Sequence, residues 1–105
     1  MRGVIEWTGS FKGTRVYEVE VIEFSKERVI FEDPWVRSKG TTRVVMLPTK
    51  TGMFHSHAQG STTPIDWCCY IGHMINNATL VGSWRREDKV HGGVGKFTLR
   101  IRDRD

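Results

Sequence analysis

Two histidines flank one serine at His55-Ser56-His57, and further imidazoles stand at His73 and His91. On an extended chain alternate residues share a face, so His55 and His57 point the same way. Divalent metals accept that spacing. However, no carboxylate follows at short spacing, and both cysteines lie elsewhere. The pair therefore reads as incidental on an exposed strand: His55 and His57 are only weak metal candidates, and no cofactor is expected. Cys68 and Cys69 are adjacent and point to opposite faces of a strand, so they cannot form an ordinary structural disulfide. There is no Cys-x-x-Cys pair, no Gly-x-Ser-x-Gly elbow and no His/Asn frame around a cysteine. Gly92-Gly93-Val94-Gly95 precedes a strand pattern rather than a helix, unlike a phosphate loop. The chain reads as non-enzymatic. An enzyme using His55, His57 and His73, with or without a metal, is the alternative.

Trp7, Trp35, Trp67 and Trp84 are many for 105 residues. They could line a cavity for an aromatic or apolar molecule, or simply fill a core. Which of the two holds depends on the elements that carry them.

Those elements read as strands. Val4 to Thr8 is apolar and β-prone. Arg15 to Phe24 places Tyr17, Val19 and Val21 on one face against Glu18 and Glu20, and its phase slips at Val21-Ile22, the mark of a β-bulge. Ser25 to Glu27 is a turn, and Arg28 to Glu32 turns Val29 and Phe31 one way before Asp33-Pro34 stops it. Thr41 to Leu47 and Met53 to Gln59 follow, separated by a turn from Pro48 to Gly52. Gly60 to Pro64 and Glu87 to Gly93 are loops. Val94 to Arg102 alternates Phe97, Leu99 and Ile101 with Lys96, Thr98 and Arg100.

Between them lie Trp67 to Ile75 and Ala78 to Arg86, joined at Asn76-Asn77, a pair suited to left-handed turn angles. That loop would set Ile75 against Ala78, His73 against Leu80, Ile71 against Gly82 and Cys69 against Trp84. All would share the inner face with Trp67, while Tyr70 and Met74 would point outward. A helix starting at Thr63-Pro64-Ile65-Asp66 competes. It is disfavoured by Gly72 and by the β-prone Trp, Tyr and Ile content. Eight short antiparallel strands then close into an up-and-down barrel, one all-β domain over residues 1–105 with under about a tenth helix.

The stretch YIGHMINNATLVGSW, a polar loop and then GVGKFTLRI resembles the closing strands of calycin-like barrels, the lipocalin and avidin superfamily. Small bacterial members read Tyr-x-Gly, turn, Gly-x-Trp, loop, Gly-x-Phe-x-Leu. Here those positions are Tyr70, Gly72, Gly82, Trp84, Gly95, Phe97 and Leu99. The resemblance covers the last third of the chain. Lipocalins carry Gly-x-Trp near the N-terminus, whereas here it lies near the C-terminus. In such a barrel Gly82 leaves room for a bulky cross-strand partner and Trp84 plugs one end.

Composition agrees with a single globular domain: 38% hydrophobic residues, 11 glycines and no apolar run long enough for a bilayer. The opening Met-Arg-Gly-Val-Ile-Glu-Trp has no apolar core of a signal peptide, and the cysteine usage fits a reducing cytoplasm. The net charge is +4. Residues 1–33 carry 5 basic and 7 acidic side chains, and residues 34–105 carry 11 and 5. The basic residues are scattered, which reads as a solvated surface and not as a nucleic-acid site. The expected function is a cytoplasmic binding module for a small apolar or aromatic ligand. The inward candidates are Trp7, Tyr17, Phe31, Trp67, His73, Trp84 and Phe97. The alternative is a solid barrel serving as an interaction or oligomerisation domain. A homodimer is compatible with either; membrane association is not expected.

Overall fold

A computed structural model describes residues 1–9, 12–33, 42–59, 68–86 and 93–104. These contain eight strands and no helix: β1 (Arg2–Gly9), β2 (Arg15–Phe24), β3 (Val29–Asp33), β4 (Thr42–Pro48), β5 (Phe54–Gln59), β6 (Cys68–Asn76), β7 (Thr79–Arg86) and β8 (Gly93–Asp103). Each strand pairs antiparallel with its sequence neighbour, and β8 returns to β1, closing the barrel. The observed ends lie close to those expected from alternation and turn residues. Cys68 to Asn76 is strand throughout, so no helix runs through it. The Thr63-Pro64 segment, Trp35, Trp67 and His91 lie outside the described residues.

Period-two alternation builds the wall. Ile5 and Trp7, Val19 and Val21, Val29 and Phe31, Val44 and Met46, Leu80 and Trp84, and Phe97 and Leu99 are all buried. The residues between them face outward, as a pleated strand requires. The expected bulge in β2 is present: Val21 opposes Phe31 and Glu23 opposes Ile30, with Ile22 as the extra residue. Inward burial thus passes from Val21 to Phe24, and Ile22 stays exposed.

The bulge also brings Glu23 over the turn that follows. Its carboxylate accepts hydrogen bonds from the Ser25 hydroxyl at 2.8 Å and from Arg28 Nε at 3.0 Å. Ser25 Oγ in turn accepts from the Arg28 backbone N–H at 3.2 Å. The Ser25 hydrogen bond first, and the Arg28 guanidinium second, hold the Glu23 carboxyl below its ordinary value.

The β6–β7 hairpin corrects the sequence reading. Tyr70 opposes Trp84, Gly72 opposes Gly82 and Met74 opposes Leu80. The loop is Asn77-Ala78, Asn76 opposes Thr79, and the register shifts between Met74 and Asn76. Asn76 Oδ1 accepts the Ala78 N–H at 2.8 Å, which spends the asparagine on bracing the turn from outside it. No described residue other than glycine has positive φ, so the left-handed Asn-Asn turn does not form. The extra residue, Ile75, absorbs the mismatch, and the whole inner face of β6 changes parity. Tyr70 is buried, and Ile71, His73 and Ile75 are exposed.

Two glycines make the closing strands possible. A Cβ at Gly82 would lie 1.9 Å from the Ile71 carbonyl oxygen and 2.5 Å from Gly72 Cα. A Cβ at Gly95 would lie 1.8 Å from the Thr8 oxygen and 2.6 Å from Trp84 Nε1. Apart from the Trp84 indole, these are contacts with neighbouring backbone, which no side-chain rotation relieves.

Gly82→Ala should therefore cost about 2–4 kcal/mol, because strand backbones must separate. Gly13→Ala, in open space at φ +82°, should cost only about 1 kcal/mol. Urea unfolding of the two variants gives the comparison; equal losses would refute the close-approach argument. The lowered Glu23 pKa contributes stability above its ordinary value of about 4.5, and this stability is lost as pH falls through the folded value. Glu23→Gln should flatten the urea-midpoint profile below about pH 4.5 relative to wild type. Superposable profiles would show that the carboxylate contributes nothing.

Candidate functional site

The two ends of the barrel are built differently. At one, the turn end, β2 meets β3 through Ser25 to Arg28, β4 meets β5 through Thr49 to Met53, and β6 meets β7 through Asn77-Ala78. Backbone hydrogen bonds close these connections: Ser25 N–H to the Arg28 oxygen at 2.9 Å and Thr49 N–H to the Met53 oxygen at 2.6 Å. Gly52 supplies the positive φ that the second turn needs. Phe24, Phe54, Met74 and Ile101 pack against the core near these turns. At the other, the connection end, β1, β3, β5 and β7 finish and β2, β4, β6 and β8 begin.

Aromatic residues gather toward the connection end. Trp7 lies two residues before the end of β1, Tyr17 two after the start of β2, Phe31 two before the end of β3, Tyr70 two after the start of β6 and Trp84 two before the end of β7. The aliphatic residues Ile5, Val21, Val29, Met46, Leu80 and Leu99 line the remainder.

Part of this aromatic group fills the lumen. Phe31 and Tyr70 meet edge to face at a centroid distance of 5.3 Å, and Tyr70 meets Phe97 in the same manner at 5.1 Å. The three rings join β3, β6 and β8 and are buried. Phe97 opposes Gly82, and its Cζ lies 3.2 Å from where a Gly72 Cβ would stand. The bulky cross-strand partner of Gly82 is thus Phe97. Space in the barrel's middle is taken up by packing, as an eight-stranded lumen allows.

The rest of the group is less completely buried. Trp7 and Tyr17 are in tilted ring contact at 5.2 Å. Trp84 is 9% exposed, and its indole lies over Gly95 and donates to the Thr8 carbonyl at 2.9 Å. That bond bridges β7 to β1 across the glycine of β8. Tyr17 is half-buried.

Of the inward candidates, Trp7, Tyr17, Phe31, Trp84 and Phe97 do face the interior, and Trp67 lies outside the described residues. His73 does not face inward: the register shift at Ile75 turns it to the outer surface, opposite Val81. Tyr70, the centre of the aromatic row, faces inward, where the unshifted register would turn it outward. The signal that identifies it is the facing pair Gly72 and Gly82, since glycines at a close backbone approach belong together. His55 is exposed and opposes Ile71, and the His57 side chain lies outside the described residues. Among the described residues no group of three or more His, Cys, Asp or Glu is placed to hold a metal ion. The described residues contain no helix long and apolar enough to cross a membrane.

Compared with protein-family models, curated proteins and solved structures, the chain has no match. Of the calycin-like expectation the structure shows the closed eight-stranded antiparallel barrel.

Removing the Trp84 ring opens a void and leaves the Thr8 carbonyl without its donor. Trp84→Ala should cost about 3–5 kcal/mol, and Trp84→Phe about 1–2 kcal/mol, in urea unfolding. If Trp84→Phe proves neutral, the bond to Thr8 is not a stabilising tie.

Proposed function

We propose that the protein is a non-enzymatic binding module that takes a small, flat aromatic or apolar molecule at the connection end of the barrel. The observation carrying this reading is the asymmetry of the ends: compact turns at one, and Trp7, Tyr17 and Trp84 near the rim of the other. Indole and phenol rings offer wide apolar contact at small entropic cost and orient a flat ligand by stacking. The Phe31–Tyr70–Phe97 row fills the lumen beside them and so argues for a shallow seat rather than a deep cavity. Trp7, Tyr17 and Trp84 form the seat, and Phe31 and Phe97 border it. His73, on the outer wall, takes no part. The cysteine usage supports action in a reducing cytoplasm.

A panel of aromatic and apolar compounds tests this, followed by tryptophan fluorescence and by melting temperature, which a ligand raises by mass action. A binder should quench or shift the indole emission. Tyr17→Ala, at a half-buried position, should cost about 1–2 kcal/mol yet leave a folded barrel that no longer responds. His73→Leu should keep both fold and response. A panel that moves neither signal, or a response that survives Tyr17→Ala, would falsify the rim site and leave a solid barrel.

A further inference from the structure

Basic residues that lie scattered along the sequence do not stay scattered on the barrel. The sequence of β7, and of β8 as far as Arg102, contains no aspartate or glutamate. On the outer wall the register sets Arg85 opposite Val94, Ser83 opposite Lys96 and Thr79 opposite Arg100. On the other side of β8, Lys96 meets Thr8 and Arg100 meets Val4. Arg85, Lys96 and Arg100 are exposed. Lys96 Nζ donates to Ser83 Oγ at 3.1 Å, which holds the ammonium over β7. Among the described residues neither Lys96 nor Arg100 makes an ion pair. Arg102, further along β8, is engaged by Glu18 of β2 at 3.3 Å. Glu6 is half-buried on β1 and faces Thr98. The wall thus carries a strip of cations interleaved with hydroxyls, and the exposed carboxylates Glu18 and Glu20 stand two strands away.

We infer that this strip, carried by Lys96 and Arg100 and continued by Arg85, binds the phosphate backbone of double-stranded nucleic acid without reading its bases. Three features select that occupant. The first is charge and shape together. Strands about 4.8 Å apart, and the run from Val94 to Arg102 at about 3.4 Å per residue, make a strip of about 10 by 27 Å across β7, β8 and β1. A convex wall touches a duplex along such a line, and charge rather than buried area supplies the affinity. The chain's net charge of +4 adds a favourable long-range field. The second is the hydroxyls: Ser83, Thr79 and Thr8 stand beside the cations, where they can hydrogen-bond phosphate oxygens. The third is what the strip lacks. Its apolar members are valines, and the aromatic residues of these strands, Trp7, Trp84 and Phe97, are buried in the barrel. It therefore has neither the apolar centre that an acidic protein or a bilayer needs nor the stacking rings that favour single strands. The aromatic seat lies on the inner face, so the inference does not rest on it.

Fluorescence anisotropy of a labelled, mixed-sequence DNA duplex of about 20 base pairs, titrated with the full chain to about 500 µM, is the test. Wild type should bind at about 50 mM salt and weaken at least about tenfold by 200 mM, as two or more phosphate contacts require. Lys96→Gln and Arg100→Gln should each weaken binding about tenfold at 50 mM and flatten the salt dependence by about one contact. Arg100→Lys, which keeps the charge, should bind within about twofold of wild type, which separates charge from fold. Lys50→Gln makes the same charge change at an exposed position in the β4–β5 turn and should leave binding within about twofold. A duplex that does not bind overturns the inference. So does a Lys50→Gln loss equal to that of Lys96→Gln, which marks attraction to net charge alone. A single strand of the same length that binds more tightly than the duplex overturns it as well.

Discussion

Backbone contact at Gly95 is the constraint from which the rest of the barrel follows. β8 must pair with β7 on one side and β1 on the other while curving tightly enough to complete a ring of eight. At Gly95 the neighbouring Thr8 carbonyl oxygen occupies the place a Cβ would take, and the Trp84 indole lies over the same position. The ring can close there because nothing projects inward. Closure in turn lets the Trp84 N–H reach Thr8 on β1. Gly72 and Gly82 repeat the device one step on, with Phe97 covering them. In both cases missing side chains permit curvature and an aromatic ring restores the lost packing. The inner wall therefore needs large rings beside glycines, and this need accounts for much of the aromatic content.

That accounting bears on how far function could be read from residue types. Most of the fold was legible. Alternation in β1, β2, β3 and β8 placed Trp7, Tyr17, Phe31 and Phe97 inward, and the phase slip in β2 marked its bulge. The β6–β7 register was not legible, because a two-residue loop can sit at Asn76-Asn77 or at Asn77-Ala78. The choice turns on an Asn76 side-chain hydrogen bond and on a bulge at Ile75. Neither leaves a pattern, since Ile75 is as apolar as an inward residue. One step of register then moved His73 out of the interior and Tyr70 into it. The candidate site was legible because Trp7, Tyr17 and Trp84 lie on stretches whose alternation no bulge interrupts.

The structure also separates two uses of aromatic residues that composition merges. The Phe31–Tyr70–Phe97 row is packing: its rings bridge opposite walls and are shut off from solvent. Trp7, Tyr17 and Trp84 keep more exposure, and the Trp84 indole ties β7 to β1. The outer wall makes a parallel division. Charges cluster on the β1–β2 and β8 side, and apolar residues on the opposite side. A barrel of this size has little interior to spare.

The order of the strands sets the kinetics of assembly. Seven of the eight pairings join strands adjacent in sequence, and only β1 with β8 brings together distant parts of the chain. The seven can form by local zippering at small entropic cost. Seam closure spans about a hundred residues, and without prior structure it would cost about 2 kcal/mol more than a ten-residue loop. Once the sheet has coiled, most of that cost is already met, so the seam is the natural last step in folding and the natural first step in opening. An open seam exposes two strand edges able to pair with other chains. The Trp84 to Thr8 bond and the glycine beneath it thus act as a latch against aggregation as well as a tie within the native state.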